Sequence, residues 1–110
     1  MYKRQETVEV FRKAGVIIGL DDYGAGVISA ADIAAFPFDL VKSDRSICGF
    51  EDAWDSPLHG ELMQVSKRKA LVLIAEGIEK VEQATGLAAL GYQYVQGYAF
   101  DQPTMLIQRN

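Results

Sequence analysis

The sequence predicts an α/β fold with a mainly parallel sheet of about four βα units. Short apolar runs typical of buried strands alternate with segments of helical periodicity. The clearest run, residues 70–75, is continuously apolar, as in strands that are covered on both faces. Polar residues follow the end of each run, and parallel α/β sheets gather their ligands at the carboxyl ends of the strands.

The predicted elements follow one another in a regular order. Predicted helices cover residues 4–14, 29–34, most of 45–69 and 80–90, and predicted strands cover residues 16–20, 38–42, 70–75 and 94–98. Gly15 and Gly91 are expected to end the helices before them. Ser29 is expected to cap the second helix, and Pro37 closes it. The tail after Pro103 carries no pattern that predicts an element.

Length and composition limit the class of protein. With 110 residues, 49% apolar and 24% charged, the chain has the composition of one globular domain. A net charge of −4 gives no basic surface for a nucleic acid polymer, and the short cluster at 67–69 is expected to be a solvated helix end. The single cysteine, Cys48, is expected to pack in the core. No apolar stretch reaches the ~20 residues of a membrane span, so we expect a cytoplasmic protein with no membrane segment in this chain.

Two adjacent carboxylates, Asp21 and Asp22, follow the first apolar run and precede the glycines at 24 and 26. Adjacent side chains on a strand point to opposite faces, so both acids can reach one site only if the strand ends there and the backbone turns. Paired carboxylates at a strand end suit a hard divalent cation. The alternative is that these acids form a turn and a helix N-cap.

Further polar residues follow the other predicted strands. These residues are Lys42, Asp44, Glu76, Glu79 and Gln96. Because the carboxyl ends of parallel strands meet at one edge of a sheet, we expect these side chains and the two aspartates to form a single site.

At these positions the sequence resembles the EAL domain, a family that hydrolyses the bacterial second messenger cyclic di-GMP. The resemblance rests on four motifs in family order: Leu20-Asp21-Asp22-Tyr23-Gly24-Ala25-Gly26, Val41-Lys42-Ser43-Asp44-Arg45, Ala75-Glu76-Gly77-Ile78-Glu79, and Gln96-Gly97-Tyr98-Ala99-Phe100 with Pro103. It covers nearly the whole chain, from about Gly15 to Pro103.

The resemblance implies the C-terminal half of a TIM-like (β/α)₈ barrel, since a complete barrel takes roughly 250 residues. Residues 1–110 are therefore expected to form a single partial EAL domain. The other half of the family's domain carries the glutamate motif that names it, two further metal-binding residues and an arginine that helps to hold the substrate phosphate. Half a barrel leaves two open strand edges, so we expect either a homo-oligomer or a separate N-terminal half to cover them.

The resemblance also implies a role for each candidate residue. Asp21 and Asp22 would bind Mg²⁺ or Mn²⁺, the cofactor expected for the family, and Lys42 would orient or charge-stabilise a water near the scissile phosphate. Glu76 would be the catalytic base or a partner of that water. The remaining candidates are supporting or substrate-binding residues: Asp44, Glu79 and Gln96.

Simpler interpretations exist for several of these residues. Lys42 could hold its ammonium group in solvent, and Glu76 and Glu79 could be first-turn acids that complement a helix dipole. His59 is expected to be a surface or loop residue, and Trp54 is expected to belong to a packing insertion. Neither is placed in the site.

The sequence departs from the family pattern at three positions. Ala25 and Val27 replace polar and aromatic residues in the loop after the acids, and this loop ordinarily couples metal binding to dimerisation. Ser43 replaces an apolar residue inside the lysine strand, which a packed interior tolerates only if the hydroxyl is hydrogen-bonded.

Three hypotheses about function follow. The first is a truncated cyclic di-GMP phosphodiesterase domain, expected to be inactive as an isolated chain because ligands that act as a unit are absent. The second is a degenerate EAL module without catalysis that binds a protein partner, or weakly the nucleotide, as an adaptor. A remnant with a stable fold and no separate function is the third possibility.

Overall fold

The computed structural model describes Gly15, residues 17–97 and residues 100–105. The strands are β1 Gly19–Tyr23, β2 Leu40–Ser43, β3 Val72–Ile78, β4 Tyr94–Gly97 and β5 Phe100–Met105. The helices are α1 Ala30–Ala35, α2 Arg45–Cys48, α3 Pro57–Ser66 and α4 Gln83–Leu90, with a 3₁₀ turn at Glu51–Ala53. The helix predicted over residues 4–14 lies outside the described residues.

The strands form one sheet in the order β1-β2-β3-β4-β5. The first four strands run parallel, and β5 pairs with β4 in the antiparallel direction. Each parallel strand is followed by a helix or a helix-containing connection, up to β4. The predicted α/β fold with a mainly parallel sheet is therefore confirmed, and the sheet formed by the described residues is open.

Side-chain alternation gives the sheet two different faces. Val41 pairs with Leu73, and Ala75 pairs with Val95; these residues face the helices and belong to the buried core. Their neighbours on the opposite face include Lys42, Ile74, Glu76, Tyr94 and Gln96, which share that face through the same pairings. The polar candidates on β2, β3 and β4 thus lie on the face away from the helices.

Local sequence explains helix α1. Ser29 accepts a hydrogen bond from the Asp32 amide at 3.2 Å, and Asp32 Oδ2 accepts one from the Ser29 amide at 2.9 Å, so the predicted cap is a complete capping box. At the other end, Lys69 Nζ donates to the carbonyl of Ile33 at 2.8 Å and also to the Phe36 carbonyl. The prediction that residues 67–69 are a solvated helix end is therefore wrong for Lys69, because its ammonium group caps another helix.

The connection between β2 and β3 is mostly helical with an irregular first half, as predicted. The segment 45–69 divides into α2, the 3₁₀ turn and α3, and Ser56 caps α3 with Pro57 at its first position. Trp54 packs against the core and donates a hydrogen bond from Nε1 to the Cys48 carbonyl at 2.8 Å. Its ring lies where a side chain on Gly86 would be. The predicted packing roles of Trp54 and of the buried Cys48 are confirmed.

The sequence pattern missed strand β5. Its central Pro103 has no amide hydrogen, and proline is tolerated at a sheet edge, where part of the backbone needs no partner. The register pairs Val95 with Thr104 and Gly97 with Phe100, and Pro103 is not among these pairs. No helix in the described part of the chain is long and apolar enough to cross a bilayer.

Candidate active site at the strand ends

Asp21 and Asp22 lie within β1 rather than after it, which corrects the predicted strand end at Leu20. Leu20 pairs with Val41 and Tyr23 pairs with Ser43, so β1 has one residue more than β2 between these two pairs. Asp22 takes the extra position with φ 63°, the left-handed conformation that aspartate tolerates better than most residues. We predicted that a strand end would let both acids reach one site. A β-bulge within the strand instead changes the direction of one of the two adjacent side chains.

A second bulge shapes β3, which continues through Glu76 and so also extends beyond its predicted end at Ala75. Glu76 pairs with Gln96 and Ile78 pairs with Gly97, which leaves Gly77 as the additional residue, with φ 87°. Glycine adopts this conformation without steric cost. Both bulges occur at the carboxyl ends of their strands, where they re-aim the polar side chains.

The two bulges bring the carboxylates of β1 and β3 together. Burial is the largest cause that raises the pKa of Glu76 to about 7, followed by a hydrogen bond to Asp21 and the negative charge of Asp21. The charge of Asp22 raises this pKa further, whereas the ammonium group of Lys42 lowers it. Asp21, Asp22 and Lys42 are therefore the charged groups that act on Glu76, and their common site stays a prediction.

Lys42 is half-buried on the same face of the sheet as Glu76, since it pairs with Ile74 two residues before Glu76. It supplies a positive charge beside three carboxylates. Its charge lowers the pKa of Glu76, and whether the ammonium group reaches the site or points to solvent stays a prediction.

Asp44 lies just beyond β2 and has a structural role. Its side chain caps α2 by accepting a hydrogen bond from the Ser46 amide at 2.9 Å, which is the main cause that lowers its pKa. A weaker interaction with the Asp22 side chain lowers the pKa further. The Asp44 amide donates to the Tyr23 carbonyl at 2.7 Å, so Asp44 ties the ends of β1 and β2 together.

Glu79 lies outside the carboxylate group. It is exposed and forms an ion pair with Arg45, with 3.7 Å between Arg45 Nη2 and Glu79 Oε2. This contact joins the loop after β3 to the helix after β2. The structure therefore places Glu79 at the rim of the strand ends.

Gln96 lies opposite Glu76 in the register of β3 and β4. Its Oε1 atom is buried and has no hydrogen-bond partner among the described residues. Buried acceptors without a donor are uncommon and costly, and they are explained most often by a missing ligand, water or neighbouring segment. The side chain is thus available for a group that the described residues do not supply.

A buried polar chain that sequence reasoning did not predict supports β2 from the helix side. The Ser43 and Tyr92 hydroxyls are hydrogen-bonded at 2.8 Å, and His59 Nδ1 lies 2.8 Å from the Tyr92 hydroxyl. His59 Nε2 lies 2.8 Å from the Ile47 carbonyl, which can only accept, so Nε2 carries a proton. His59 is only 2% exposed, and its prediction as a surface or loop residue is wrong.

This polar chain also explains how a serine at position 43 is tolerated inside a buried strand. Ser43 is fully buried between Lys42 and Asp44, and its hydroxyl has the partner that its burial requires. The polar residue inside an apolar strand was the signal in the sequence, but its partner is 49 residues away along the chain.

Comparison with known proteins decides the family. The EAL domain matches residues 2–103, which is most of the chain. The chain belongs to the EAL domain family. The probable cyclic di-GMP phosphodiesterase PdeN of Escherichia coli strain K12 is 32% identical over 111 aligned residues, covering 96% of this chain and 21% of PdeN.

Solved EAL domains have the same fold. The EAL domain of DcpA from Mycobacterium smegmatis superposes with a TM-score of 0.79 at 25% identity, covering 96% of this chain and 48% of that chain. A standalone EAL protein from Vibrio cholerae O395, solved in a form with bound c-di-GMP, gives a TM-score of 0.71 at 27% identity over 89% of this chain and 42% of that chain. This chain spans less than half of the length of each of these two solved chains.

The three acidic candidate residues have the type of ligand atom that a divalent cation prefers. Asp21, Asp22 and Glu76 offer only oxygen atoms, which Mg²⁺ and Mn²⁺ prefer, and burial together with the two neighbouring aspartates raises the pKa of Glu76. Among the described residues, however, no group of three or more His, Cys, Asp or Glu side chains is arranged to hold a metal ion. The donors in this half of the EAL domain are thus suitable but incomplete.

Proposed function

We propose that this chain supplies the carboxyl-terminal half of a divalent-metal-dependent cyclic di-GMP phosphodiesterase site. Under this proposal residues 1–110 form one partial domain, and a second half-barrel is required for turnover. The observation that carries the proposal is the convergence of Asp21, Asp22, Lys42 and Glu76, whose charges act on one another at the carboxyl ends of neighbouring strands. Relatives named as cyclic di-GMP phosphodiesterases support the substrate assignment.

Each residue has a distinct proposed task. Asp21 and Asp22 hold Mg²⁺ or Mn²⁺, which when bound neutralises charge on the phosphodiester and activates a water. Lys42 offers its ammonium group to the phosphate or to the attacking water. Glu76 is the candidate proton acceptor, because its carboxylate lies beside Asp21 and faces the charge of Lys42.

Three residues support this group. Asp44 fixes the ends of β1 and β2 through the Tyr23 carbonyl and the cap of α2. Gln96 directs its unpaired amide oxygen to a group from the substrate, a water or the other half of the barrel. Glu79 holds Arg45 at the rim.

The expected activity of the isolated chain depends on the N-terminal half of the EAL domain, whose ligands these 110 residues do not include. Ligands that act as a unit lose most of their rate when several are removed, so the isolated chain is expected to bind a cation weakly and to show no turnover. A separate N-terminal half, or a second copy of this chain, would cover the open sheet edges. The cytoplasmic location stays a prediction from composition.

A non-catalytic adaptor is the second candidate. It is favoured by the absence, within the described ranges, of a three-residue metal-binding group. Under this alternative the carboxylates are inherited without a function, and the chain acts by binding a protein or, weakly, the nucleotide.

The deciding experiment measures hydrolysis of cyclic di-GMP in the presence of Mn²⁺. The chain would be assayed alone and fused behind the first half of the EAL domain of PdeN. We expect turnover by the fusion only, reduced at least about 100-fold by Asp21→Asn because the ligands act together. The matched control is Asp55→Asn, an exposed aspartate outside the site, which should leave the rate unchanged.

A folded fusion without turnover would contradict the catalytic proposal and support the adaptor. Turnover that survives Asp21→Asn would show that the β1 carboxylates do not hold the catalytic metal.

A further inference from the structure

We propose that Arg45 and Phe50 form a stacking surface for a purine base at the rim of the strand-end site. We call these two side chains the rim platform. The inference rests on the proposed function in one respect, which is that the base belongs to the dinucleotide whose phosphodiester lies at the carboxylates.

The rim platform pairs a guanidinium group with an aromatic ring, and both side chains are accessible. The Arg45 guanidinium carbon lies 5.4 Å from the centroid of the Phe50 ring, within the range of a cation–π contact. Phe50 is 49% exposed, although a phenylalanine of this size normally buries most of its ring. The Arg45 side chain is 57% exposed as well. A flat cation and an aromatic ring are the two side-chain groups on which nucleobases stack.

The Arg45 side chain has a packed stem and one exposed ion-pair partner for its guanidinium group. Its partner is Glu79, at 3.7 Å. The alkyl stem of Arg45 lies over Gly49 and Gly77, where a side chain on either glycine would collide with it. A stacking surface that is fixed before the ligand arrives loses less conformational entropy on binding.

Arg45 of the rim platform lies beside the proposed site at two strands, β2 and β3. Arg45 follows Asp44, whose side chain interacts with Asp22. The stem of Arg45 covers Gly77, the residue after Glu76. A nucleotide with its phosphodiester at the carboxylates would therefore direct a base toward this part of the rim.

The surrounding charges favour a base over the other groups of a nucleotide. Glu51 and Asp52 directly follow Phe50 and are exposed, and Glu79 lies beside Arg45. These acids would repel a second phosphate. A neutral aromatic base has no such penalty, and a purine offers the larger face for stacking.

The test uses 5′-GMP and ribose 5-phosphate, which differ only in the base. Both would be titrated into the full chain in EDTA, with the Phe50 ring resonances followed by NMR in the parent chain and the affinity of the parent chain and of each variant measured by calorimetry. EDTA removes any contribution from a divalent cation. We expect GMP to shift the Phe50 ring resonances and ribose 5-phosphate to leave them in place, with CMP intermediate.

Three variants sharpen the test. Phe50→Leu and Arg45→Lys keep an apolar group and a charge, respectively, but lose the flat surface, so each should weaken GMP binding about 5-fold or more. Phe36→Leu removes a ring near the start of β2, away from the strand-end site, and should leave GMP binding unchanged. GMP that acts no differently from ribose 5-phosphate, or that binds Phe50→Leu as well as the parent chain, overturns the proposal.

The rim platform and the phosphodiesterase proposal can fail separately. If GMP shifts Phe50 while the PdeN fusion does not hydrolyse cyclic di-GMP, the platform stands and the proposed function fails. If the fusion is active and Phe50→Leu leaves its KM for cyclic di-GMP unchanged, the platform fails and the proposed function stands.

Discussion

At the scale of single residues, Ser43 shows how a polar side chain is accommodated in a buried strand. Its hydroxyl meets Tyr92, and Tyr92 also contacts His59, so three polar side chains satisfy one another behind Lys42. The requirement for a hydrogen bond could be predicted from burial alone. The partners could not, because they are distant in sequence: Tyr92 lies between α4 and β4, and His59 lies on α3.

Removing the Tyr92 hydroxyl tests this polar chain. Tyr92→Phe leaves the buried Ser43 hydroxyl without this partner, as well as His59 Nδ1, so we expect the free energy of unfolding in urea to fall by about 1–3 kcal/mol. Tyr94→Phe, on the half-buried opposite face, is the control and should change stability by less than about 0.5 kcal/mol. Equal effects of the two substitutions would show that the hydrogen bonds of Tyr92 contribute nothing.

At the scale of elements, the strands could be predicted in type and order but not in their ends. The apolar runs indicated β1 and β3, yet both strands continue through their acidic residues. Apolar periodicity cannot show this extension, because a bulge lets a polar residue stay in the ladder while its side chain leaves the apolar face. In the sequence, the bulges are indicated only by the two adjacent acids and by the glycine after Glu76.

The bulge at Gly77 gives the sharpest stability prediction. A side chain there would take a left-handed conformation and would collide with Arg45, whose Cα would be 2.9 Å away. We expect Gly77→Ala to cost at least about 2 kcal/mol of unfolding free energy, measured in urea.

Gly60 provides the matched control for this substitution. It lies inside α3, and a side chain added there meets nothing within 4 Å. Gly60→Ala should therefore stabilise the chain by about 0.5–1 kcal/mol through helix propensity. A Gly77→Ala variant as stable as the parent chain would mean that the bulge does not need glycine.

The cap of α2 predicts a dependence on pH. Hydrogen bonding to the Ser46 amide lowers the pKa of Asp44, so the folded state favours the ionised carboxyl group. Its contribution is full above the unfolded pKa of about 3.9 and is lost as the pH falls through the lower folded value. Asp44→Ala should cost about 1 kcal/mol at pH 7, and the difference from the parent chain should shrink below about pH 4.

Asp44→Asn separates the cap from the charge. Asparagine caps helices about as well as aspartate, so this variant should match the parent chain at pH 7 within about 0.5 kcal/mol. Thermal unfolding across the pH range measures both variants. A cost for Asp44→Ala that does not change with pH would contradict the role of the ionised carboxylate.

At the scale of the whole molecule, the parallel order of four strands could be predicted, and a single site for the polar residues at their carboxyl ends stays a prediction. The reason is general: parallel strands bring their carboxyl ends together whatever the loops do. Strand β5 could not be predicted, since a proline-containing edge strand has almost no periodic pattern. The rim platform was also missed, because the contact of Arg45 with Phe50 depends on the irregular chain after α2.

The carboxyl ends of the strands carry three acidic side chains, those of Asp21, Asp22 and Glu76, and one basic side chain, that of Lys42. Burial, a hydrogen bond to Asp21 and the charges of Asp21 and Asp22 raise the pKa of Glu76, whereas the charge of Lys42 lowers it, so negative charge exceeds positive charge around Glu76. A divalent cation would relieve this excess, and the other half of an EAL barrel would complete its coordination. This is the central claim of the proposed function.

Binding of Mn²⁺ to the isolated chain tests that claim most directly. In a titration followed by electron paramagnetic resonance, the signal of free Mn²⁺ falls as the ion binds, whether or not the chain is active. We predict one weak site per chain, with affinity reduced at least about 10-fold in the Asp21→Asn, Asp22→Asn double variant and unchanged in Asp55→Asn. Equal binding by the parent chain and the double variant, or no binding by either, would contradict the assignment of a metal site to these strand ends.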